Sequence, residues 1–154
     1  MLTAEERQEI EAEFPRYPNK RAVSIDGLKI IQRHRGWVSD ESLRDVGTLL
    51  EMTPDELDSV ATFYNLVFRK PVGRHVVLVC DSVSCWIMGC EKLCQRLATR
   101  LGVSLGGTTS DGRFTILPIV CLGACDHAPT LMVDNDLHGD VQPEKLDELL
   151  ERYK

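Results

Sequence analysis

The sequence lacks a basic region. Its 18 Lys and Arg stand against 24 Asp and Glu, for a formal net charge of −6. The deficit is spread along the chain: residues 1–73 carry ten basic and thirteen acidic side chains, and residues 74–154 carry eight and eleven. Phosphate backbones are bound by clustered Lys and Arg, so nucleic acid is set aside as a partner, and the acidic balance describes a solvated surface. No apolar run approaches the roughly 20 residues that cross a bilayer. Direct membrane insertion is therefore not expected, and any link to a membrane passes through a partner. The opening residues Met1 to Arg7 have neither the basic flank and apolar stretch of a signal peptide nor the composition of a transit peptide. A reducing, cytoplasmic setting is expected, where six cysteines serve as ligands or buried thiols rather than as disulfides. Two further absences bear on chemistry. There is no C-x-x-C of a thioredoxin-type dithiol, and no G-x-G-x-x-G turn or P-loop that would give a nucleotide or a flavin a home.

What the sequence does hold is two cysteine pairs, Cys80-Asp-Ser-Val-Ser-Cys85 and Cys121-Leu-Gly-Ala-Cys125, separated by 35 residues. Each pair follows a run patterned as a buried strand, residues 75–79 before Cys80 and 114–120 before Cys121. If those strands are parallel neighbours, both pairs lie in loops at one end of a sheet, outside the carboxyl ends of its strands, where open sheets place ligands. Gly123 allows close backbone approach there.

Three chemistries compete for the four sulfurs. An iron-sulfur cluster fits the count and the wide loops. Structural zinc also accepts C-x4-C and C-x3-C spacing, although a domain with long buried strands does not need a metal to fold. Disulfides or inert buried thiols are the third reading. Cys90 and Cys94 fall with Leu97, Ala98 and Leu101 on one helical stripe and are expected to face the core as small hydrophobes rather than to serve as ligands. His127, two residues after Cys125, is set aside as a ligand, since histidine-ligated clusters of the Rieske kind need a second histidine nearby.

The first 70 residues read as four amphipathic helices. A capping box at Thr3 to Glu6 opens the first, which Pro15 and Pro18 close. A second begins near Arg21 and ends at Gly36. Ser39 caps a third, and Thr53-Pro-Asp-Glu56 opens a fourth, with proline at the first helical position. The aromatic residues Trp37, Phe63 and Tyr64 are expected chiefly to fill the bundle. Residues 69–74 have the composition of a linker. The fold class is thus α+β: an N-terminal helical bundle over 1–70, then an α/β domain over 74–154. The latter is laid out as strand 75–80, cysteine loop, helix 88–101, strand 114–120, cysteine loop, strand 130–134, short strand near 138–141 and helix 143–152.

The pattern C-x4-C-x35-C-x3-C resembles the thioredoxin-like [2Fe-2S] ferredoxin subunits of respiratory complex I, the NADH:quinone oxidoreductase. The likeness extends to Thr108-Thr-Ser-Asp-Gly-Arg-Phe114, Val60-Ala-Thr-Phe-Tyr64, Gly36-Trp37-Val38 and the closing Leu149-Leu-Glu-Arg-Tyr153, so it covers nearly the whole chain. It implies a thioredoxin-like second domain and one [2Fe-2S] cluster on Cys80, Cys85, Cys121 and Cys125. It implies electron transfer as a subunit of an NADH dehydrogenase, in the cytoplasm and peripheral to the inner membrane. It also implies a flavoprotein partner that binds NADH and FMN, met in part through the region of Trp37, Phe63 and Tyr64. NADH oxidation by this chain alone is not expected. An equivalent ferredoxin subunit of an NAD-linked hydrogenase or formate dehydrogenase is the alternative, and a zinc-stabilised interaction module a more distant one. By position in the thioredoxin fold, the Ala128-Pro129 bond is expected to be cis.

Overall fold

A computed structural model describes residues 1–154, which form two compact units, Met1–Pro71 and Val72–Lys154. The first is helical: α1 (Ala4–Glu13), α2 (Ser24–Arg35), α3 (Asp40–Leu50) and α4 (Pro54–Phe63). Its boundaries follow local chemistry. Thr3 and Glu6 make a reciprocal capping box at α1, and Thr53 and Glu56 make another at α4. Each satisfies two backbone donors that a helix start leaves free. Pro15 lies in a 3-10 turn after α1, and a second 3-10 turn, Lys20–Val23, precedes α2, so the helix expected from Arg21 starts slightly later. Gly36 ends α2 with φ of 82°, a left-handed conformation that costs glycine nothing. Ile10, Leu28, Ile31, Val46, Leu50 and Leu57 are fully buried and form the centre of this unit.

One buried charge belongs to the same unit. Glu6 is only 2% exposed, and both its carboxylate oxygens accept from Arg35, from Nε and from a terminal nitrogen, each at 2.7 Å. Thr3 N–H donates to the same carboxylate at 2.8 Å. The aromatic residues behave differently from expectation. Phe63 is 80% exposed and Tyr64 and Leu66 are partly so, while Trp37 is half-buried. The reason is position: α4 buries Leu57 and Ala61, and Phe63 and Tyr64 stand at its last turn and just beyond, past the end of the buried stripe. The two rings stack edge to face, 5.1 Å between centroids.

The second unit is a four-stranded sheet in the order β2-β1-β3-β4. β1 (His75–Cys80) pairs in parallel with β2 (Phe114–Ile119), in a register that sets Cys80 beside Ile119. β3 (Leu131–Val133) runs antiparallel to β1, and β4 (Asp136–His138) antiparallel to β3. Two helices follow β1: a short α5 (Val83–Ile87) and the long α6 (Cys90–Leu101). The chain closes with a 3-10 turn, Pro143–Lys145, and α7 (Leu146–Leu150). Leu93, Leu97, Leu146 and Leu150 bury against Val77, Phe114 and Leu131 of the sheet. The Ala128-Pro129 bond is cis.

Four expectations are corrected here. The loop after Cys80 contains a helix of its own, α5. The helix expected from residue 88 starts at Cys90, because Gly89, at φ of 96°, separates the two helices. The final helix, expected over 143–152, is a 3-10 turn and a five-residue α-helix. The last strand also lies two residues earlier than expected. Asp134 has φ of 54°, and β3 and β4 pair across Val133 and Asp136, so the chain reverses in two residues.

Candidate metal centre

The parallel pairing of β1 and β2 positions the site. Both strands finish at the same end of the sheet, so the segment after Cys80 and the segment after Ile119 leave it side by side. Two backbone bonds tie this end together: Asp81 N–H donates to the Ile119 carbonyl at 2.8 Å, and Cys80 N–H to that of Thr130 at 3.2 Å. Cys80 is the last residue of β1 and is buried. Cys85 lies in α5, whose single turn is tight enough to return a second thiol toward the sheet, and it too is buried. Cys121 and Cys125 stand on the opposite loop and are exposed. Gly123 lies between them with φ of 77°, the conformation that bends the loop over, and a Cβ there would meet nothing within 4 Å.

The sulfurs are surrounded by donors. Burial raises the Cys80 thiol, but the N–H groups of Ser82 and Leu122 and the side chains of Cys85 and Thr130 outweigh it and hold the thiol below its ordinary value. Gly123 N–H donates to Cys121 Sγ at 3.3 Å, and Thr130 Oγ1 lies 3.4 Å from Cys85 Sγ. The neighbouring Cys121 thiol pushes Cys125 up, with Ser84 acting the other way. Within each pair one thiol thus acts on the other, Cys85 on Cys80 and Cys121 on Cys125. Four thiolates suit tetrahedral zinc and, as two pairs, a binuclear iron-sulfur group. The donor set, the N–H groups aimed at sulfur and the glycine bend fit such a group.

The two remaining sulfurs differ in their surroundings. Cys90 is buried and packs with Cys80, Cys85 and Ala128, and burial pushes its thiol up to about 11. Cys94 packs partly buried against the main core of this unit, and burial raises it too. His127 is exposed and turned to carboxylates: Nδ1 lies 2.8 Å from Asp140 and Nε2 3.5 Å from Asp126. Sequence reasoning missed Ser84 and Thr130, whose hydroxyls reach the sulfurs, and the peptide donors of Ser82 and Leu122. Ser82 beginning a short apolar run was the one available signal for α5.

Comparison with known proteins supplies the family. The chain is 49% identical to the E subunit of NADH-quinone oxidoreductase from Pseudomonas aeruginosa over 153 residues, 99% of this chain and 92% of that protein. It is 48% identical to the corresponding NADH-quinone oxidoreductase subunit from Escherichia coli over the same shares. Among solved structures, an NAD+-reducing [NiFe]-hydrogenase in the air-oxidised state shares the fold, with a TM-score of 0.71 at 24% identity. That likeness covers 82% of this chain, which spans 22% of the hydrogenase chain. The profile of the thioredoxin-like [2Fe-2S] ferredoxins matches residues 10–154. The chain belongs to the thioredoxin-like [2Fe-2S] ferredoxin family.

Proposed function

We propose that this chain is the [2Fe-2S] electron-transfer subunit of an NADH:quinone oxidoreductase and works beside a flavoprotein subunit that binds NADH and FMN. The observation that carries the reading is two thiol pairs at one end of the sheet in a chain about half identical, over nearly its full length, to the E subunit of that enzyme. Cys80, Cys85, Cys121 and Cys125 hold the cluster, in the ferredoxin domain of residues 74–154. When bound, it supplies one-electron chemistry. The residues of the chain do the rest. The buried pair, Cys80 and Cys85, keeps one side from water. The exposed pair, Cys121 and Cys125, leaves the other side open to a partner. The peptide N–H groups at the sulfurs favour thiolate over thiol and, through hydrogen bonds to sulfur, raise the potential at which an electron is accepted.

The flavin belongs to the partner because NADH delivers an electron pair and the chain has neither a dinucleotide turn nor a P-loop. The exposed Phe63-Tyr64 pair of the helical domain, residues 1–70, offers that partner one surface. No helix is long and apolar enough to cross a membrane, so a place at the cytoplasmic side of the inner membrane comes through the assembly. The alternative, the same role in an NAD-linked hydrogenase, rests on a likeness at 24% identity, which supports the fold alone.

The test is NADH-dependent cluster reduction, followed by visible absorbance, with the purified chain and after adding the flavoprotein subunit. Reduction is expected only with the partner. Reduction of the flavin-free chain by NADH overturns the division of labour.

A further inference from the structure

Glu6, Ser24, Ser42, Thr115 and Thr130 are the polar side chains buried in this protein, and Thr130 alone is turned to sulfur. It is 1% exposed. Its hydroxyl oxygen lies 3.4 Å from Cys85 Sγ, and the same side chain hydrogen-bonds Cys80. A buried hydroxyl needs a partner, and sulfur is the only one this hydroxyl has. The sheet holds it there. Thr130 continues the pairing of Val79 with Leu131 by one residue, and its carbonyl accepts from Cys80 N–H at 3.2 Å.

A hydroxyl differs from the peptide donors of Ser82 and Leu122 because it can rotate. It accepts from Cys85 while that residue is a thiol, and it donates once the sulfur is a metal-bound thiolate with no proton to give. The polar atoms are therefore satisfied both before and after the site is loaded. Thr130 is also shut off from water. The exposed sulfurs of Cys121 and Cys125 can take hydrogen bonds from solvent if a protein donor is lost, whereas the buried sulfurs of Cys80 and Cys85 cannot. One-electron reduction adds negative charge to a cluster and its sulfurs, so a donor there stabilises the reduced form more than the oxidised one. The low dielectric of a buried site enlarges that difference.

We propose that Thr130 is a positioning residue for electron transfer: its hydroxyl, aimed at the Cys80 and Cys85 sulfurs where water cannot reach, raises the potential at which the cluster accepts an electron. The inference rests on the function proposed above and deepens it, by naming the side chain that sets how far the cluster draws electrons from the flavin. One electron passes from the flavin to the cluster, and the hydroxyl proton stays on Thr130.

The test is a redox titration of the cluster-loaded full chain, followed by visible absorbance and by the EPR signal of the reduced cluster, for wild type, Thr130→Val, Thr130→Ser and Ser84→Ala. Valine keeps the shape of the side chain and loses the hydroxyl, while serine keeps the hydroxyl. Thr130→Val lowers the potential, so that at the wild-type midpoint the ratio of reduced to oxidised cluster falls about fivefold, as loss of one hydrogen bond to a charged group does. Thr130→Ser restores most of the potential. Ser84→Ala removes a donor from Cys125, which is open to water, and shifts it far less. A wild-type potential in Thr130→Val overturns the inference and leaves the proposed function standing. Equal shifts from valine and serine overturn it too, since altered packing would then be the cause, and so does a shift from Ser84→Ala as large as that from Thr130→Val. If the valine chain takes up no cluster, Thr130→Ala is titrated in its place and read against Thr130→Ser in the same way. A wild-type chain that shows no [2Fe-2S] spectrum after reconstitution with iron and sulfide overturns the proposed function and this inference together.

Discussion

The six cysteines have the same intrinsic chemistry and are separated by what surrounds them. Cys80, although buried, receives two peptide N–H groups and is held toward thiolate, while Cys90 a short way along the chain is pushed up to about 11 by burial. Serine at Cys80, Cys85, Cys121 or Cys125 is therefore expected to abolish or disturb the cluster, and serine at Cys90 or Cys94 to leave iron and sulfide content unchanged. Iron analysis of the six variants checks this, and normal loading of Cys121→Ser with loss from Cys90→Ser would reverse the assignment. Glu6 makes a second case. The Arg35 hydrogen bonds hold its carboxyl down at about 2. Its folded value lies below its unfolded one, so the stabilisation is complete above the ordinary carboxylate range and is lost as pH falls toward 2. Glu6→Gln leaves the Arg35 charge poorly matched and is expected to cost about 3 kcal/mol at pH 7 in chemical denaturation, with the difference shrinking in acid. The capping role of Glu6 was legible from Thr3-Ala-Glu-Glu6, and the cysteine pairs from their spacing. Arg35 as its partner was not legible, nor were the peptide donors at Cys80, because both depend on how distant segments come together.

At the level of the element, the strands and the long helices were readable because each carries a hydrophobic period over enough residues to average out single exceptions. Helix α5 was not. Five residues give barely more than one turn, and three of them are apolar residues that face water, so no period marks a buried side. Gly89 was passed over for a related reason, since it sits in a stretch that otherwise continues smoothly into α6. Its φ of 96° sets the break between α5 and α6, and a Cβ there would touch nothing within 4 Å. Gly89→Ala is therefore expected to destabilise through backbone strain alone, by roughly 1–2 kcal/mol, read as a lower midpoint in thermal unfolding. An unchanged midpoint would mean that the two helices can rejoin without strain. At α4, Thr53→Ala removes a cap that Glu56 reciprocates and is expected to cost about 1 kcal/mol.

At the scale of the molecule, each unit has its own buried cluster, the helical one around Leu28 and Leu50 and the sheet one around Leu97 and Ile116. Residues 74–154 expressed alone are accordingly expected to fold and to take up a cluster, with the visible spectrum of the full chain. A colourless or unfolded fragment would show that the helical unit is needed to complete the site. The sheet carries a further consequence, in time rather than in space. β1 is central, flanked by β2 and β3, and both of those strands come later in the chain. A ribosome delivering the chain from its N-terminus releases the helical unit first, whose short-range contacts close quickly. It then releases β1 with Cys80 and Cys85 well before β2 brings Cys121 and Cys125. During that interval a strand that will be buried on both edges is unpaired and two thiols wait without their counterparts, so cluster delivery belongs after synthesis of the second loop, and the half-made chain is the form most in need of a chaperone.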